Sequence, residues 1–140
     1  MAEPAKVRSQ PCVTCPYRLD APSGLWAAEE YAKLPGYDGP AGQQALTGAL
    51  GAFHCHSTPE RVCAGWAGYR APRDLLAVRL GVLSGSLDES ALSYTCPVPL
   101  HPTGAAAAEH GLRDLGHPGE DAVSAAAKVR RLIDAREDRS

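Results

Sequence analysis

The stretch CVTCPYR at residues 12–18 contains two cysteines, Cys12 and Cys15, separated by two residues. This spacing lets two thiolates reach one metal from a tight turn. Farther along the chain, Cys55 and Cys63 form a second pair, separated by seven residues. Four thiolates are the ligand set of a tetrahedral zinc site and of an iron–sulfur cluster. The sequence therefore predicts one metal centre on these four cysteines, with the fold organised around it.

The spacing of the cysteines leaves the identity of the metal open. The second pair is too widely spaced for a zinc knuckle and matches no common ferredoxin pattern. A cluster is wider than a single ion, which suits thiolates from separate loops. Proline follows Cys15, as it follows a ligand cysteine in bacterial ferredoxins. These features favour an iron–sulfur cluster of the 4Fe–4S type, and zinc is the alternative.

Residues next to the cysteines are candidates for supporting roles. His54 and His56 flank Cys55, and each is a candidate for a ligand or for a hydrogen bond to a ligand sulfur. In an extended loop both imidazoles point away from the Cys55 thiol, which favours the second role. Cys96 is either a further ligand or a spare thiol, and the spare thiol is favoured because no other cysteine is near it in sequence.

Three more side chains are expected to pack around the site or to contact a partner: Trp66, Tyr17 and Arg18. The tryptophan either shields the metal from water or offers an exposed anchor to a protein partner, and its size and apolarity favour the buried role. The arginine carries a positive charge that offsets the negative charge of four thiolates.

Bulk composition narrows the function classes. The 140 residues suit one domain, and 16 acidic against 14 basic residues give no basic field for nucleic acid. No stretch approaches the roughly 18 apolar residues of a membrane span, and five cysteines without a secretion signal indicate a reducing, cytoplasmic location. No catalytic motif is recognised, so an enzymatic activity is left open. The other histidines are expected on the solvated surface: His101, His110 and His117.

Apolar residues recur at helical spacing, and no stretch shows the alternation of a strand. The fold is therefore predicted to be mainly α, a small single domain with long loops organised around a four-cysteine metal site. The predicted segments are a flexible N-terminus over 1–9, a metal-binding core over 10–85, a loop-rich connection with a short helix over 86–118, and a C-terminal amphipathic helix over 119–140.

Within these segments, the spacing predicts helices over residues 27–34, 43–53, 72–83 and 104–115. Another helix is expected to begin at Ser57, where a capping hydroxyl is followed by proline and by a glutamate three residues later. The helix over 72–83 is predicted to be the main core helix, because Leu76, Leu80 and Leu83, joined by Leu75 and Val82, recur at helical spacing, and Gly85 is expected to end it.

Together these motifs resemble a family of small actinobacterial and actinophage proteins that has no established activity. The family pattern is C-x2-C-P-[WY]-R, an Asp-x-Pro-x-Gly turn, F-x-C-H-x-S and C-A-G-[FW]. Here it corresponds to residues 12–18, 20–24, 53–57 and 63–66, with one residue missing before the serine of the third motif. The resemblance covers about residues 10–83, and it implies the four-cysteine site and a cytoplasmic location. A looser similarity is to WhiB-like iron–sulfur regulators, in which the C-x2-C pair stands in the middle of the cysteine set.

Three functions remain open at this point. The first is an iron–sulfur protein with a redox-sensing, regulatory or accessory role. The second is a zinc-stapled structural or interaction module, in which the metal compensates for a core with only 6% aromatic residues. The third is a thiol oxidoreductase using Cys12 and Cys15, although the βαβ context of a thioredoxin-like motif is missing.

Overall fold

The computed structural model describes residues 3–55 and 58–115, together with positions 119, 123, 127, 130 and 131. This part of the chain is a small, mainly helical unit, as predicted, and its β-structure is limited to isolated bridges. The α-helices are α1 (Ala28–Ala32), α2 (Ala41–Leu46), α3 (Ala64–Gly68), α4 (Leu76–Ser84) and α5 (Gly104–Arg113). Short 3-10 helices span Leu34–Tyr37, Pro72–Asp74 and Glu89–Ser93.

The N-terminal segment takes part in the fold. Ala5 forms a parallel bridge with Leu87, and Val7 forms one with Val62. The Arg8 amide then donates to the Val62 carbonyl at 3.0 Å. This differs from the flexible lead-in predicted before the first cysteine. The partners of these residues lie far away in sequence, so no local pattern could indicate the pairing.

The segment between Phe53 and Cys63 forms two short extended stretches joined by a turn. The Cys63 amide donates to the Phe53 carbonyl at 2.7 Å, and the Cys55 amide donates to the Arg61 carbonyl at 2.9 Å. The two stretches therefore run antiparallel, with a cysteine on each. This pairing sets the position of both cysteines relative to each other.

The helix predicted to begin at Ser57 is not formed in the described part of this segment. α3 begins only at Ala64, and the Arg61 amide closes a turn onto the Thr58 carbonyl at 2.9 Å. Val62, between the turn and the helix, uses its amide and carbonyl to pair with the N-terminal segment. A backbone group engaged in such a bridge is not free for a helical hydrogen bond, so tertiary pairing overrides the local capping signal. Ser57 itself lies outside the described residues.

The helix predicted over residues 43–53 is shorter and begins earlier in the structure. It corresponds to α2, which ends at Leu46, and Gly48 follows with a φ of +77°. The left-handed conformation at this glycine turns the chain out of the helix. The helix predicted over residues 27–34 corresponds to α1, which ends at Ala32, and the 3-10 helix Leu34–Tyr37 follows it.

The helix predicted over residues 72–83 corresponds to a 3-10 turn followed by α4, and it ends at Gly85 as expected, with φ +85°. Only part of its predicted apolar set is buried. Leu80 is 41% exposed and Leu83 is 84% exposed, whereas Leu75 and Val78 are fully buried. Apolar residues occur on several faces of this helix, so periodicity alone does not select the buried one.

The aromatic residues compensate for their small number by packing together. Trp66 is fully buried, and its ring lies edge-on to Tyr37, with centroids 5.5 Å apart, and stacks on Phe53 at 5.8 Å. Tyr31 and Leu34 are also buried. Trp66 is therefore buried, as favoured, and its ring is not an exposed anchor for a partner, but it is not among the residues that line the cysteine cavity.

A buried glutamine ties the helices together. The Gln44 side chain, in α2, donates to the carbonyls of Gly39 and Asp74 at 2.8 and 2.7 Å. Its amide oxygen accepts from the Leu76 amide at 2.9 Å, at the start of α4. Because both the nitrogen and the oxygen of the Gln44 amide form hydrogen bonds, these bonds offset the cost of burying a polar side chain in the core.

The last described helix, α5, confirms the helix predicted over residues 104–115. The Thr103 hydroxyl caps it by accepting from the Ala106 amide at 3.0 Å. The loop-rich connection that precedes it also contains the 3-10 helix Glu89–Ser93. The amphipathic helix predicted over 119–140 lies outside the described residues except at a few positions. Within the described chain, no helix has the length and apolarity to cross a membrane.

Candidate functional site

The four cysteines of the two pairs border one cavity of about 230 Å³. Cys12, Cys15 and Cys55 are buried, and Cys63 is half-buried. The remaining lining includes side chains from α1, from the following 3-10 helix and from the residues before Cys55: Trp26, Glu30, Lys33, Leu34, Phe53 and His54. The structure therefore brings together the four cysteines that the sequence singled out.

The first two cysteines are placed by a tight turn. The Cys15 amide donates to the Cys12 carbonyl at 3.0 Å, and the Arg18 amide then donates to the Cys15 carbonyl at 3.1 Å. These successive turns keep the two thiols on the same side of the chain. The Tyr17 amide donates to the Cys15 sulfur, so the turn also supplies a donor to the site.

The second two cysteines are placed by the antiparallel pairing around them. His54 forms an antiparallel bridge with Val62. Because side chains alternate along extended chain, the residues on either side of this bridge point to the opposite face. Cys55 follows one member of the bridge and Cys63 follows the other, so both thiols face the cavity. The seven-residue spacing fits no local motif, but it allows Cys55 and Cys63 to lie on two paired stretches of chain.

The sulfurs are paired across the two segments. The Cys15 and Cys63 sulfurs are 3.7 Å apart, within hydrogen-bonding distance. The Cys12 thiol lies 3.5 Å from the Thr14 hydroxyl, and its interaction with Cys55 raises its pKa. Each cysteine of the C-x2-C turn thus has a partner in the second segment, and the four thiols form one interacting group.

Proton affinities differ within the Cys15–Cys63 pair. The hydrogen bond from Cys15 lowers the pKa of Cys63, against the effect of burial, and the amides of Trp66 and Gly65 add to the lowering. The same hydrogen bond and burial raise the pKa of Cys15 well above its usual value. The pKa of Cys12 is likewise raised, first by its interaction with Cys55 and then by burial.

Arg8 is a site residue that the sequence analysis missed. Its guanidinium donates to the Cys55 sulfur at 3.4 Å, and this contact raises the pKa of the arginine. The parallel bridge between Val7 and Val62 positions it beside the site. A cation at this distance stabilises a thiolate. No local pattern signals this role, because it depends on a bridge between residues more than fifty positions apart in the sequence.

Gly65 and Trp26 are two further residues that the sequence did not indicate. A Cβ at Gly65 would collide with the Cys15 sulfur and with the Tyr17 side chain. The absence of a side chain there lets α3 approach the first cysteine pair. Trp26 lines the cavity, and its indole donates to the Thr14 carbonyl at 2.9 Å. The tryptophan beside the cavity is thus Trp26, whereas Trp66 belongs to the core. The glycine in the Cys-Ala-Gly-Trp motif is the one feature of the sequence that could have indicated this close approach.

The other predicted site residues have different positions. His54 borders the cavity, but it is exposed and its Nδ1 lies 3.0 Å from the Pro59 carbonyl. Tyr17 is fully buried and stacks on Tyr69 with ring centroids 4.7 Å apart. Arg18 forms a bidentate ion pair with Asp20, at 2.7 and 2.9 Å. His56 lies outside the described residues.

Cys96 is separate from the four-cysteine cavity. Its thiol donates to the Val98 carbonyl at 3.4 Å, and it lines a shallow groove with Tyr94 and Arg73. No other cysteine lines this groove in the described chain. The arrangement agrees with the spare-thiol interpretation.

The surface position predicted for His101 is wrong. Its side chain is buried, and its Nε2 has no hydrogen-bond partner within the described chain. Its backbone amide donates to the Tyr17 carbonyl at 2.8 Å, and this bond holds the loop before α5 against the segment that contains Tyr17. The ring of His110 lies 5.2 Å away, and His110 bonds the Ala21 carbonyl at 2.7 Å. Burial and this neighbour lower the pKa of His101. His117 lies outside the described residues.

The group of four thiols does not have the arrangement of a single-ion site. Among the positions that the structure describes, no set of three or more His, Cys, Asp or Glu side chains is arranged to hold one metal ion. The sulfurs instead form two close pairs around a cavity. Chemically, such a group can bind soft metals as thiolates, or it can be oxidised to disulfides.

Fold and site together define a small, mainly helical protein with four cysteines around one cavity. The chain belongs to a family of unknown function, DUF6283, whose model matches residues 7–132. This match includes the bridge-forming segment before the first cysteine and extends well beyond the cysteine motifs. No curated protein and no solved structure matches the chain significantly.

Proposed function

We propose that this protein binds an iron–sulfur cluster through Cys12, Cys15, Cys55 and Cys63. The observation that carries the proposal is the convergence of these four thiols, from two distant segments, on one cavity. Buried cysteines often act as small hydrophobes, but such cysteines need not face one another. Here each thiol of one segment has a sulfur partner in the other. Four thiolates are the ligand set that a 4Fe–4S cluster requires.

The size of the cavity favours a cluster over a single ion. About 230 Å³ is several times the roughly 30 Å³ that one water occupies in the liquid. Metal binding requires thiolates, so the hydrogen bonds within each sulfur pair must be given up when the cofactor enters. A larger cofactor between the two pairs makes use of the space that they border.

The surroundings of the thiols suit a negatively charged thiolate centre. Arg8 supplies a positive charge at Cys55, and backbone amides donate to Cys15 and Cys63. Hydrogen bonds and charges of this kind tune the potential of iron–sulfur centres. When bound, the cluster supplies one-electron redox chemistry. We propose a redox-sensing, regulatory or accessory role in the cytoplasm, where thiols stay reduced.

A sensing or regulatory role requires a protein partner. The ring of Trp66 is buried and cannot contact this partner directly. We propose that the partner binds the surface around the mouth of the cavity, near Trp66. Trp26 and the Lys33–Glu30 ion pair of 3.3 Å lie at this cavity and present both apolar and charged groups.

Zinc is the second candidate, because one distance favours it. A tetrahedral zinc with Zn–S bonds of about 2.3 Å has sulfurs about 3.8 Å apart. The Cys15 and Cys63 sulfurs are 3.7 Å apart. In that case the metal is a structural staple, and the function lies in an interface.

The test is an anaerobic purification of the full chain, followed by a visible absorption spectrum and analysis of iron, sulfide and zinc. We expect iron and sulfide with a broad visible absorption, all lost in Cys12→Ser, Cys15→Ser, Cys55→Ser and Cys63→Ser. Cys96→Ser is the matched control, since this thiol lies outside the cavity and its removal should leave the cofactor in place.

Two outcomes contradict the cluster. A colourless protein with one zinc per chain, lost on substitution of the same cysteines, supports the zinc module instead. A protein that stays metal-free after reconstitution with iron and sulfide, and also with zinc, overturns the metal-binding proposal altogether.

A further inference from the structure

We propose that Cys15 and Cys63 form a reversible disulfide in the metal-free protein, and that this bond controls access of the metal to the site. The inference rests on the arrangement of the sulfurs. Although Cys12 is close to Cys15 in sequence, the sulfur that lies 3.7 Å from Cys15 belongs to Cys63. The C-x2-C motif predicts a local disulfide, whereas the structure pairs cysteines 48 positions apart.

The geometry requires only a small movement. A disulfide has an S–S distance of about 2.05 Å, so the two sulfurs must approach by about 1.7 Å. Rotation of the side chains can supply such a displacement, since Cys63 borders a cavity and is half-buried. The backbone around both residues is held by hydrogen bonds, from the Cys63 amide to Phe53 and from the Cys15 amide to Cys12. The two thiols therefore remain close together without a change in the fold.

The oxidant we assign to this step is hydrogen peroxide, which is small enough for the cavity. The Cys63 thiolate attacks one peroxide oxygen, so that an S–O bond forms, the O–O bond breaks and hydroxide leaves. The Cys15 sulfur then attacks Cys63, forming the S–S bond and breaking the S–O bond, and water leaves with the thiol proton. The pair loses two electrons, and the peroxide is reduced to water. Cys63 reacts with the peroxide first because it is half-buried, whereas Cys15 is only 1% exposed.

The consequence for the site follows from the ligand count. A disulfide between Cys15 and Cys63 removes two of the four thiolates, one from each segment, so that no four-thiolate centre can assemble. This part rests on the metal-binding function proposed above. The disulfide itself does not, because it forms in the metal-free chain.

Trypsin digestion provides a direct test. Cleavage after Lys and Arg places Cys12 and Cys15 in residues 9–18, Cys55 in 34–61 and Cys63 in 62–70. The metal-free full chain is treated with an equimolar amount of hydrogen peroxide, its free thiols are alkylated, and the digest is analysed by mass spectrometry. We expect fragment 9–18 to be joined to 62–70, and the link to disappear on reduction. In the Cys12→Ser variant the same link assigns the bond to Cys15 without ambiguity.

The controls separate this bond from its competitors. Cys63→Ser should abolish the link, and Cys96→Ser should leave it unchanged. An internal disulfide within 9–18, or a link from 9–18 to 34–61 in the Cys12→Ser variant, overturns the proposal. If Cys12→Ser does not fold, fragmentation of the linked wild-type peptides identifies the same bond.

A second measurement tests control of metal access. The oxidised protein should take up neither iron and sulfide nor zinc until dithiothreitol is added, whereas the reduced protein takes up metal at once. Equal uptake by both forms refutes this control even if the disulfide is found. A protein that forms the disulfide but binds no metal in either form refutes metal control and the metal-binding function, and leaves only the disulfide standing.

Discussion

Two cysteine environments lie one helical turn apart along α3, and they differ in the number of thiols that face one another. At Gly65 the helix approaches Cys15 and Tyr17, whose neighbourhood contains four facing thiols. At Gly68 it approaches Cys96 and Tyr94, where the thiol donates to a backbone carbonyl. Both cysteines are followed by proline, so the local sequence does not distinguish them. The difference lies in what the distant segments bring to each position.

The comparison shows that the number of sulfur partners, and not burial, marks the candidate site. Cys96 is half-buried, as is Cys63, yet only Cys63 faces a second cysteine. Arg8 donates to a sulfur on the four-cysteine side. The predictions below perturb one side at a time.

The largest effect is expected from Gly65→Ala. The added methyl group collides with the Cys15 sulfur and with Tyr17, both buried, so it should destabilise the fold by about 1–3 kcal/mol and displace a ligand sulfur. Urea unfolding and cofactor content per chain measure both effects. Gly68→Ala meets the Cβ atom of Cys96 at 2.8 Å, so it should also lower stability, but it displaces no sulfur of the four-cysteine cavity and should keep the cofactor.

Gly42→Ala is the matched control for these glycine substitutions. It lies in α2 with nothing within 4 Å of the added Cβ, and it should stabilise the protein by about 0.5–1 kcal/mol through helix propensity. Similar stabilities for Gly65→Ala and Gly42→Ala would show that α3 does not approach the cysteine turn as closely as described.

Arg8→Gln should weaken cofactor retention by about tenfold, because it removes the cation that donates to the Cys55 sulfur. The measurement is the rate of metal loss to a chelator at low and high salt. Arg73→Gln, next to Cys96, is the control and should have no effect. Equal rates for the wild type and Arg8→Gln would exclude the arginine from the site.

The tyrosines beside the two cysteine environments should respond in opposite directions. Tyr17→Phe removes a buried hydroxyl that has no hydrogen-bond partner in the described chain, so stability should rise by up to about 1 kcal/mol. Tyr94→Phe removes a bond of 2.9 Å to the Ser9 carbonyl and should lower stability by about 0.5 kcal/mol. Chemical denaturation of the two variants decides this, and a loss of stability in Tyr17→Phe would contradict the expectation.

The smallest effect concerns pH. The pKa of His101 is lowered by burial and by His110, so the folded state binds this proton less readily than the unfolded chain. Its contribution to stability is present above the usual histidine pKa and is lost as pH falls below it. The unfolding free energy of His101→Gln should therefore depend less on pH between about 7 and 5 than that of the wild type. Parallel pH profiles for the two proteins would count against a buried neutral His101.

Much of the helical architecture is predictable, and the failures have a common cause. α5, and α4 with its stop at Gly85, follow from helical spacing and glycine chemistry. The helix expected from Ser57 fails because Val62 pairs with the N-terminal segment. Leu80 and Leu83 of α4 are exposed for a related reason, because the apolar residues on this helix exceed those that the small core can bury.

For the candidate site, the identity of the four cysteines was available from their count and from the C-x2-C spacing. Arg8, Gly65 and Trp26 were not, because each acts through contacts with residues distant in sequence. His101 was misplaced for the same reason, since the loop that contains it is drawn inwards by a bond to Tyr17.

The sequence by itself determined which residues are chemically able to form the site, the mainly helical character and the ends of the better-defined helices. These properties depend on residue type and short-range spacing, which act through the local backbone. Only the tertiary structure decided that Cys15 faces Cys63 and that Cys12 faces Cys55. Those contacts require the bridges that Val62 forms with Val7 and with His54. Pairing between segments this far apart is determined by the whole chain.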